Sequence, residues 1–272
     1  MRSPRSFIIL LLAAASSSAG AVEISIFAIA TGRNQARLVS GDGYHYGSFK
    51  SSGEKASWSV DGRVLLEGPV GTVMDNSERY SSRYAALSAD GRLLVSAERV
   101  AAPDGSLKYI LTLNGKRIGS LYDSISEVQV GRKGANAVFL ARTSRGCLVV
   151  SAAGEGPPFP ECPTHVLVSD IGVLYLAVWN NRTFLYRDLV SVAEKDYRGL
   201  AASPDFSRIA GQLDDGKAFH SVEIGNAVVV KQPSISRMMF SEDGKHFGVV
   251  AGENSSKPNK VIVDAKSYTL KS

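Results

Sequence analysis

The chain has 272 residues, 44% of them hydrophobic, with 31 basic and 26 acidic side chains and a formal charge of +5. That is enough chain for one large β domain or two smaller ones. The charges are scattered, with no basic run and no interleaved aromatic stripe. This argues against a nucleic-acid partner, because such proteins concentrate the side chains that neutralise phosphates.

The N-terminus has three parts. "MRSPRS" carries two arginines, "FIILLLAAA" is a short apolar run, and "SSSAGA" ends in small residues. This is the pattern of a secretory signal peptide, with cleavage expected after Ala21. The apolar run falls well short of the roughly 20 residues that span a bilayer, so a cleaved leader is favoured over an anchor. No later stretch is long and apolar enough to cross a membrane. Residues 22–272 are therefore expected to form one exported domain, periplasmic or secreted, whose formal charge drops to +3 without Arg2 and Arg5. "VEISIFAIA", residues 22 to 30, is a strand candidate that precedes everything repetitive in the chain. It would either add to the last repeat as an extra edge or displace that repeat's final strand, "SYTL".

From there a short motif recurs six times. The copies read "SGDGYHYG" from Ser40, "SADGRLLV" from Ser88, "GRKGANAV" from Gly131, "SDIGVLYL" from Ser169, "SPDFSRIA" from Ser203 and "SEDGKHFG" from Ser241. The aligned turn position is Gly43, Gly91, Gly134, Gly172, Phe206 and Gly244, with spacings of 48, 43, 38, 34 and 38 residues. A self-similar period near 40 signals a propeller or a solenoid. Asp-Gly between apolar runs is a tight hairpin turn, in which Gly takes the positive φ and Asp or Ser caps nearby amides. Two adjacent apolar columns follow it. One holds Tyr46, Leu94, Ala137, Tyr175, Ile209 and Phe247; the other holds Gly47, Val95, Val138, Leu176, Ala210 and Gly248. Adjacent apolar columns mean a strand covered on both faces.

A second hairpin follows inside most copies: Asp61-Gly62, Asn114-Gly115 and Gly225-Asn226, with degenerate versions in "FLYRDLVSV" and "VIVDAKSYTL". Two hairpins give four short strands per period, and no segment carries a sustained helical period. The expected fold is all-β, a six-bladed β-propeller of four-stranded antiparallel blades, with repeats starting near residues 37, 85, 128, 166, 200 and 238.

Cys147 and Cys162 flank the turn-rich "GEGPPFP". In an oxidising compartment such a pair is a disulfide candidate, with two buried thiols as the alternative. The absence of Cys-x-x-Cys speaks against a redox dithiol or a structural zinc site.

"SPDFSRIA", "SEDGKHFG" and "SADGRLLV" resemble the Ser-Pro-Asp-Gly-Lys-x-Ile-Ala motif of TolB-type, WD-like propeller repeats, and the resemblance covers nearly all of the chain after residue 21. Three copies depart from it: "GRKG" lacks the Asp, "SDIG" shifts it, and Phe206 replaces the Gly. The resemblance implies a periplasmic or secreted setting and a protein or peptide partner. It does not extend to the Tol-Pal envelope system, because there is no room here for the N-terminal domain that accompanies the propeller of TolB.

Chemistry-bearing motifs are few. "GQLDDGKA", Gly211 to Ala218, approaches a phosphate loop, but Ala218 replaces the metal-binding hydroxyl and a strand follows where a helix is required. His45 and His246 each lie two residues after a turn position, in blades that adjoin when the ring closes. With Tyr44 and Lys245 they are the candidate binding residues at the channel mouth. The bland reading is that this column simply accepts long polar residues, as Asn136 and Arg208 do. His165 and His220 have less context still. No Gly-x-Ser-x-Gly elbow is present, and neither a catalytic triad nor a carboxylate pair can be identified from spacing. Asn181-Arg182-Thr183 and Asn254-Ser255-Ser256 match glycosylation acceptors and mark surface loops. The expectation is a non-catalytic binding scaffold with no cofactor and no metal. A small-molecule or metal binder at the channel mouth is the alternative, with a propeller hydrolase or lyase behind it.

Overall fold

A computed structural model describes residues 37–39, 44–74, 84–132, 134, 136–214, 216, 219–254 and 257–270. The leader pattern, the 22–30 strand candidate, Ser40 and Gly43 lie outside the described residues.

The chain is a six-bladed β-propeller in which each blade is one contiguous four-stranded antiparallel sheet. Blade 1 holds β1 (Arg37–Val39), β2 (Tyr46–Ser52), β3 (Lys55–Val60) and β4 (Arg63–Pro69). Blade 2 holds β5 (Ala85–Leu87), β6 (Leu94–Ala101), β7 (Leu107–Leu113) and β8 (Lys116–Tyr122). Blade 3 holds β9 (Ser124–Val130), β10 (Ala137–Thr143), β11 (Gly146–Ser151) and β12 (Gly154–Glu155). Blade 4 holds β13 (Thr164–Ser169), β14 (Gly172–Trp179), β15 (Arg182–Arg187) and β16 (Val190–Glu194). Blade 5 holds β17 (Tyr197–Ala202), β18 (Ile209–Asp214), β19 (His220–Ile224) and β20 (Ala227–Gln232). Blade 6 holds β21 (Ser234–Phe240), β22 (Phe247–Asn254), β23 (Lys257–Val263) and β24 (Lys266–Thr269). "SYTL" thus keeps its place, with β24 pairing β23 in unbroken register from Val263↔Lys266 to Lys260↔Thr269.

The innermost strands β1, β5, β9, β13, β17 and β21 touch in sequence around the channel. The core lies between blades. Among the described residues, five apolar clusters each span one pair of neighbours. Trp58, Phe49 and Leu66 of blade 1 meet Leu87 and Leu94 of blade 2, for example, and Val222 and Val230 of blade 5 meet Ile235 and Val249 of blade 6. This explains the double apolar column: a strand in mid-blade presents one side chain to each neighbouring blade, and both are buried.

Four of the second hairpins are two-residue turns with both residues at positive φ, whereas in the blade 5 hairpin only Gly225 is, at 64°. The pairs are Asp61/Gly62 at 50° and 80°, Asn114/Gly115 at 47° and 81°, Asp188/Leu189 at 47° and 72°, and Asp264/Ala265 at 46° and 67°. These are type I′ turns, whose twist matches that of the flanking strands. Blade 3 differs. Its fourth strand has two residues, and Phe159 then pairs with Cys147 through N–H···O bonds of 2.8 Å in both directions. Cys147 and Cys162 form a disulfide that ties this segment to the blade edge. Phe159 is inserted between blades 3 and 4, with ring centroids 5.2 Å from Tyr186, 6.3 Å from Tyr175 and 6.5 Å from Trp179.

Candidate functional site

The channel opening on the side of the repeated turns is built from the Ser-x-Asp-Gly motif. In blade 2 the Ser88 hydroxyl donates to Asp90 Oδ1 at 2.7 Å, and that same oxygen accepts from the Arg92 amide at 3.1 Å. The Leu93 amide in turn donates to Ser88 Oγ at 3.0 Å. Blade 5 repeats all three bonds with Ser203, Asp205, Ser207 and Arg208, and blade 6 with Ser241, Asp243, Lys245 and His246. The motif is therefore a self-closing turn, and its residues serve the backbone. Where Phe206 replaces Gly, the backbone still adopts φ 54° and the ring is buried beside Leu174, Leu176 and Leu200. Gly172 departs from the alignment. Ser169 pairs directly with Gly172, so the blade 4 turn is shorter and Gly172 opens β14 without a positive φ. Its lack of a side chain makes room for Asp188, since a Cβ there would lie 2.2 Å from Oδ1.

These turns hold their carboxylates in the ionised form. Hydrogen bonds from the Ser203 hydroxyl, then from the Ser207 amide and hydroxyl, pull the Asp205 carboxyl down to about 2. Asp90 and Asp243 are lowered for the same reason, their serine hydroxyls first. A carboxylate depressed in the folded state adds stability above its unfolded value near 3.9, and that stability is lost as pH falls through the folded value. Melting temperature is expected to fall on acidification between about pH 4 and pH 2. The triple variant Asp90→Asn, Asp205→Asn, Asp243→Asn is expected to show a shallower fall. An unchanged pH profile would mean the turns do not contribute.

The two histidines sit in a second recurring device. The Asp or Asn that opens each type I′ turn accepts from an amide at the start of the blade's second strand. The bonds are Tyr46 to Asp61 at 2.9 Å, Leu94 to Asn114 at 2.8 Å, Val173 to Asp188 at 3.0 Å and Phe247 to Asp264 at 2.9 Å. The other carboxylate oxygen takes the preceding histidine. His45 Nδ1 lies 2.7 Å from Asp61 Oδ2, and His246 Nδ1 lies 2.5 Å from Asp264 Oδ2. Each histidine is thus engaged by an aspartate of its own blade. The column also links to the next blade's turn. A Cβ on Gly91 would lie 2.2 Å from His45 Cγ, and one on Gly134 would lie 3.2 Å from Leu93. Asn136 Nδ2 donates to the Ser169 carbonyl at 3.0 Å, and Arg208 donates to the carbonyls of Gly244 and Lys245 at 2.9 and 2.7 Å. Long polar residues recur in this column because they bridge neighbouring blades. Of the other two candidate residues, Tyr44 is 86% exposed, and exposed Lys245 contributes its amide and carbonyl to these bonds. Among the described residues no group of three or more His, Cys, Asp or Glu side chains is arranged to hold a metal ion. Of the phosphate-loop look-alike, Gly211–Asp214 form the end of β18, and the next element among the described residues is strand β19, not a helix.

The cavity lies elsewhere on the same side. It has a volume of about 480 Å³ and is walled by the innermost strands of blades 3 to 6. Its apolar wall includes half-buried Leu167, Ala202, Met238 and Phe240, and its rim carries Arg132, Asp170 and Glu242. Arg132 of blade 3 and Glu242 of blade 6 form an ion pair across the channel between opposite blades. Sequence reading missed this wall. The signal was the strand just before each turn, but nothing local shows which side of a strand buried between two blades is left uncovered.

No protein-family model matches the sequence, nor does any curated protein. Solved structures do resemble it. A prolyl endopeptidase chain matches with TM-score 0.52 and 11% identity, over 92% of this chain and 44% of its own. The Cps50 (Swd1) propeller domain of Myceliophteria thermophila matches with TM-score 0.46 and 12% identity, over 89% and 87%. The Dos1 propeller matches with TM-score 0.44 and 13% identity, over 84% and 66%. TolB from Acinetobacter baumannii matches with TM-score 0.38 and 9% identity, over 77% and 52%. The propeller fold is shared. At these identities the likeness concerns architecture alone.

Proposed function

We propose that the chain is an exported, non-catalytic binding scaffold that recognises a protein or peptide through the turn side of the propeller. The observation that carries this reading is the cavity of about 480 Å³, whose apolar wall is assembled from four blades beneath a charged rim. That size and composition suit an apolar side chain anchored in the cavity, with polar contacts at the rim fixing its orientation. A rigid platform presenting turns from every blade favours recognition over a large surface. The leader pattern of residues 1–21 supports export, and the Ser-x-Asp-Gly repeat fits a TolB-type origin. Capture from the host's exported fraction tests the proposal, with the chain as bait beside a Met238→Trp variant that fills the cavity. A partner held by the first bait and reduced at least tenfold on the second is the expected result. A partner retained equally by both would move the interface off the channel. N-terminal sequencing of the exported chain is expected to begin at Val22.

A further inference from the structure

The innermost strands of blades 3 to 6 share an irregularity at the end away from the turns. Each carries one residue more than its partner strand accommodates. On β9 the extra residue falls between Ser126 and Gln129, on β13 between Thr164 and Leu167, on β17 it is Arg198, and on β21 it is Ser236. Bulges re-aim side chains, and they concentrate beside functional sites. Two are held at a backbone conformation that side chains rarely adopt, with φ 51° at Glu127 and 52° at His165. Each bulge also lies two residues, roughly 7 Å, beyond a residue of the cavity wall, namely Gln129, Leu167, Leu200 and Met238. Together they form one layer around the second opening of the channel.

The side chains in this layer are unusual for the molecule. His165, Arg198 and Arg237 are exposed, and among the described residues none of the three makes a hydrogen bond or an ion pair. Most other cations near the channel are engaged: Arg132 with Glu242, Arg208 with two carbonyls, and Lys195 with Glu223 at 2.7 Å. Of their strands, β17 comes within 8 Å of both β13 and β21, Cα to Cα. Glu127, on β9, is the one acidic side chain at the four bulges. Two guanidinium groups on neighbouring strands repel one another unless an anion sits between them.

We propose that this opening is an oxyanion site in which Arg198 and Arg237 grip a phosphoryl or carboxylate group, with His165 as the third contact. The planar guanidinium fork matches such a group with paired N–H···O bonds. The strand bulges supply the positioning, and the site is separate from the protein-binding cavity on the turn side.

Calorimetric titration of the full chain with three probes tests it: inorganic phosphate, phenyl phosphate, and a capped tetraglutamate peptide. One saturable site per chain is expected for at least one probe. Its dissociation constant should rise about tenfold in Arg198→Gln and in Arg237→Gln, and stay unchanged in Arg92→Gln, an exposed arginine of the blade 2 turn at the other end of the channel. Binding by the phosphates identifies a free small anion. Binding by the peptide alone identifies an acidic protein segment, with the same oxyanion chemistry. Phenol is the control that needs no variant, so a failure of either substitution to fold leaves the test intact. No saturable binding of any probe, phenol binding as tightly as phenyl phosphate, or indifference to both arginine substitutions would each overturn the proposal.

Discussion

Phe159→Ala is expected to lower the unfolding free energy by about 3–5 kcal/mol, the range for truncating a fully buried aromatic. Phe159 is 1% exposed and belongs to the cluster that joins blade 3 to blade 4, where it contacts Tyr175, Tyr186 and Trp179. Its position depends on the short segment that replaces a full fourth strand in blade 3. Reducing the Cys147–Cys162 bond releases the far end of that segment, and the chain-entropy model for a 15-residue loop puts the loss near 3 kcal/mol. The two effects should overlap, because both act on one element. Urea unfolding of the wild type and the variant, each oxidised and reduced, measures this coupling. A loss under about 1 kcal/mol for Phe159→Ala would mean that the blade interface closes without the inserted ring.

Gly91→Ala is the second substitution with a large expected effect. Gly91 has φ 66°, which alone penalises a side chain by about 1 kcal/mol. Its added Cβ would also lie 2.2 Å from Cγ and 2.5 Å from Cβ of His45, too close to the root of that side chain for a small rotation to relieve. His45 would have to leave Asp61, so a further 1–3 kcal/mol of overpacking is expected, about 2–4 in all. In a His45→Gly background, which removes both clashing atoms, only the backbone penalty should remain. A coupling energy above about 1 kcal/mol in that cycle would establish His45 as a link between blades 1 and 2. Equal losses in both backgrounds would rule the link out.

These expectations indicate where the sequence was transparent. The period near 40, the Asp-Gly turns and the double apolar columns all follow from local chemistry. A turn that needs positive φ is written in Asp, Asn and Gly, and burial on both faces is written in adjacent apolar residues. Even the departures kept the rule, since Phe206 holds the turn geometry of the glycine it replaces. The blade 4 alignment slipped because Ser169 pairs with Gly172 across a shorter turn. The slip of two residues kept the strand's faces unchanged and so left no trace in the apolar pattern.

The site was the opposite case. His45 and His246 stand out in the sequence because they share a column, and the structure gives that column a mechanical task. The cavity wall at Leu167, Ala202, Met238 and Phe240 looks in sequence like any other strand buried between blades. The bulges at Glu127, His165, Arg198 and Ser236 leave no sequence mark either, because an extra residue exists only relative to the strand it pairs with. The sequence alone determined the repeated unit and its count, since turn and burial preferences act over a few residues. Which side chains face the channel, and that Arg132 meets Glu242 across it, was decided only when the ring brought together residues 33 to 110 apart in the chain.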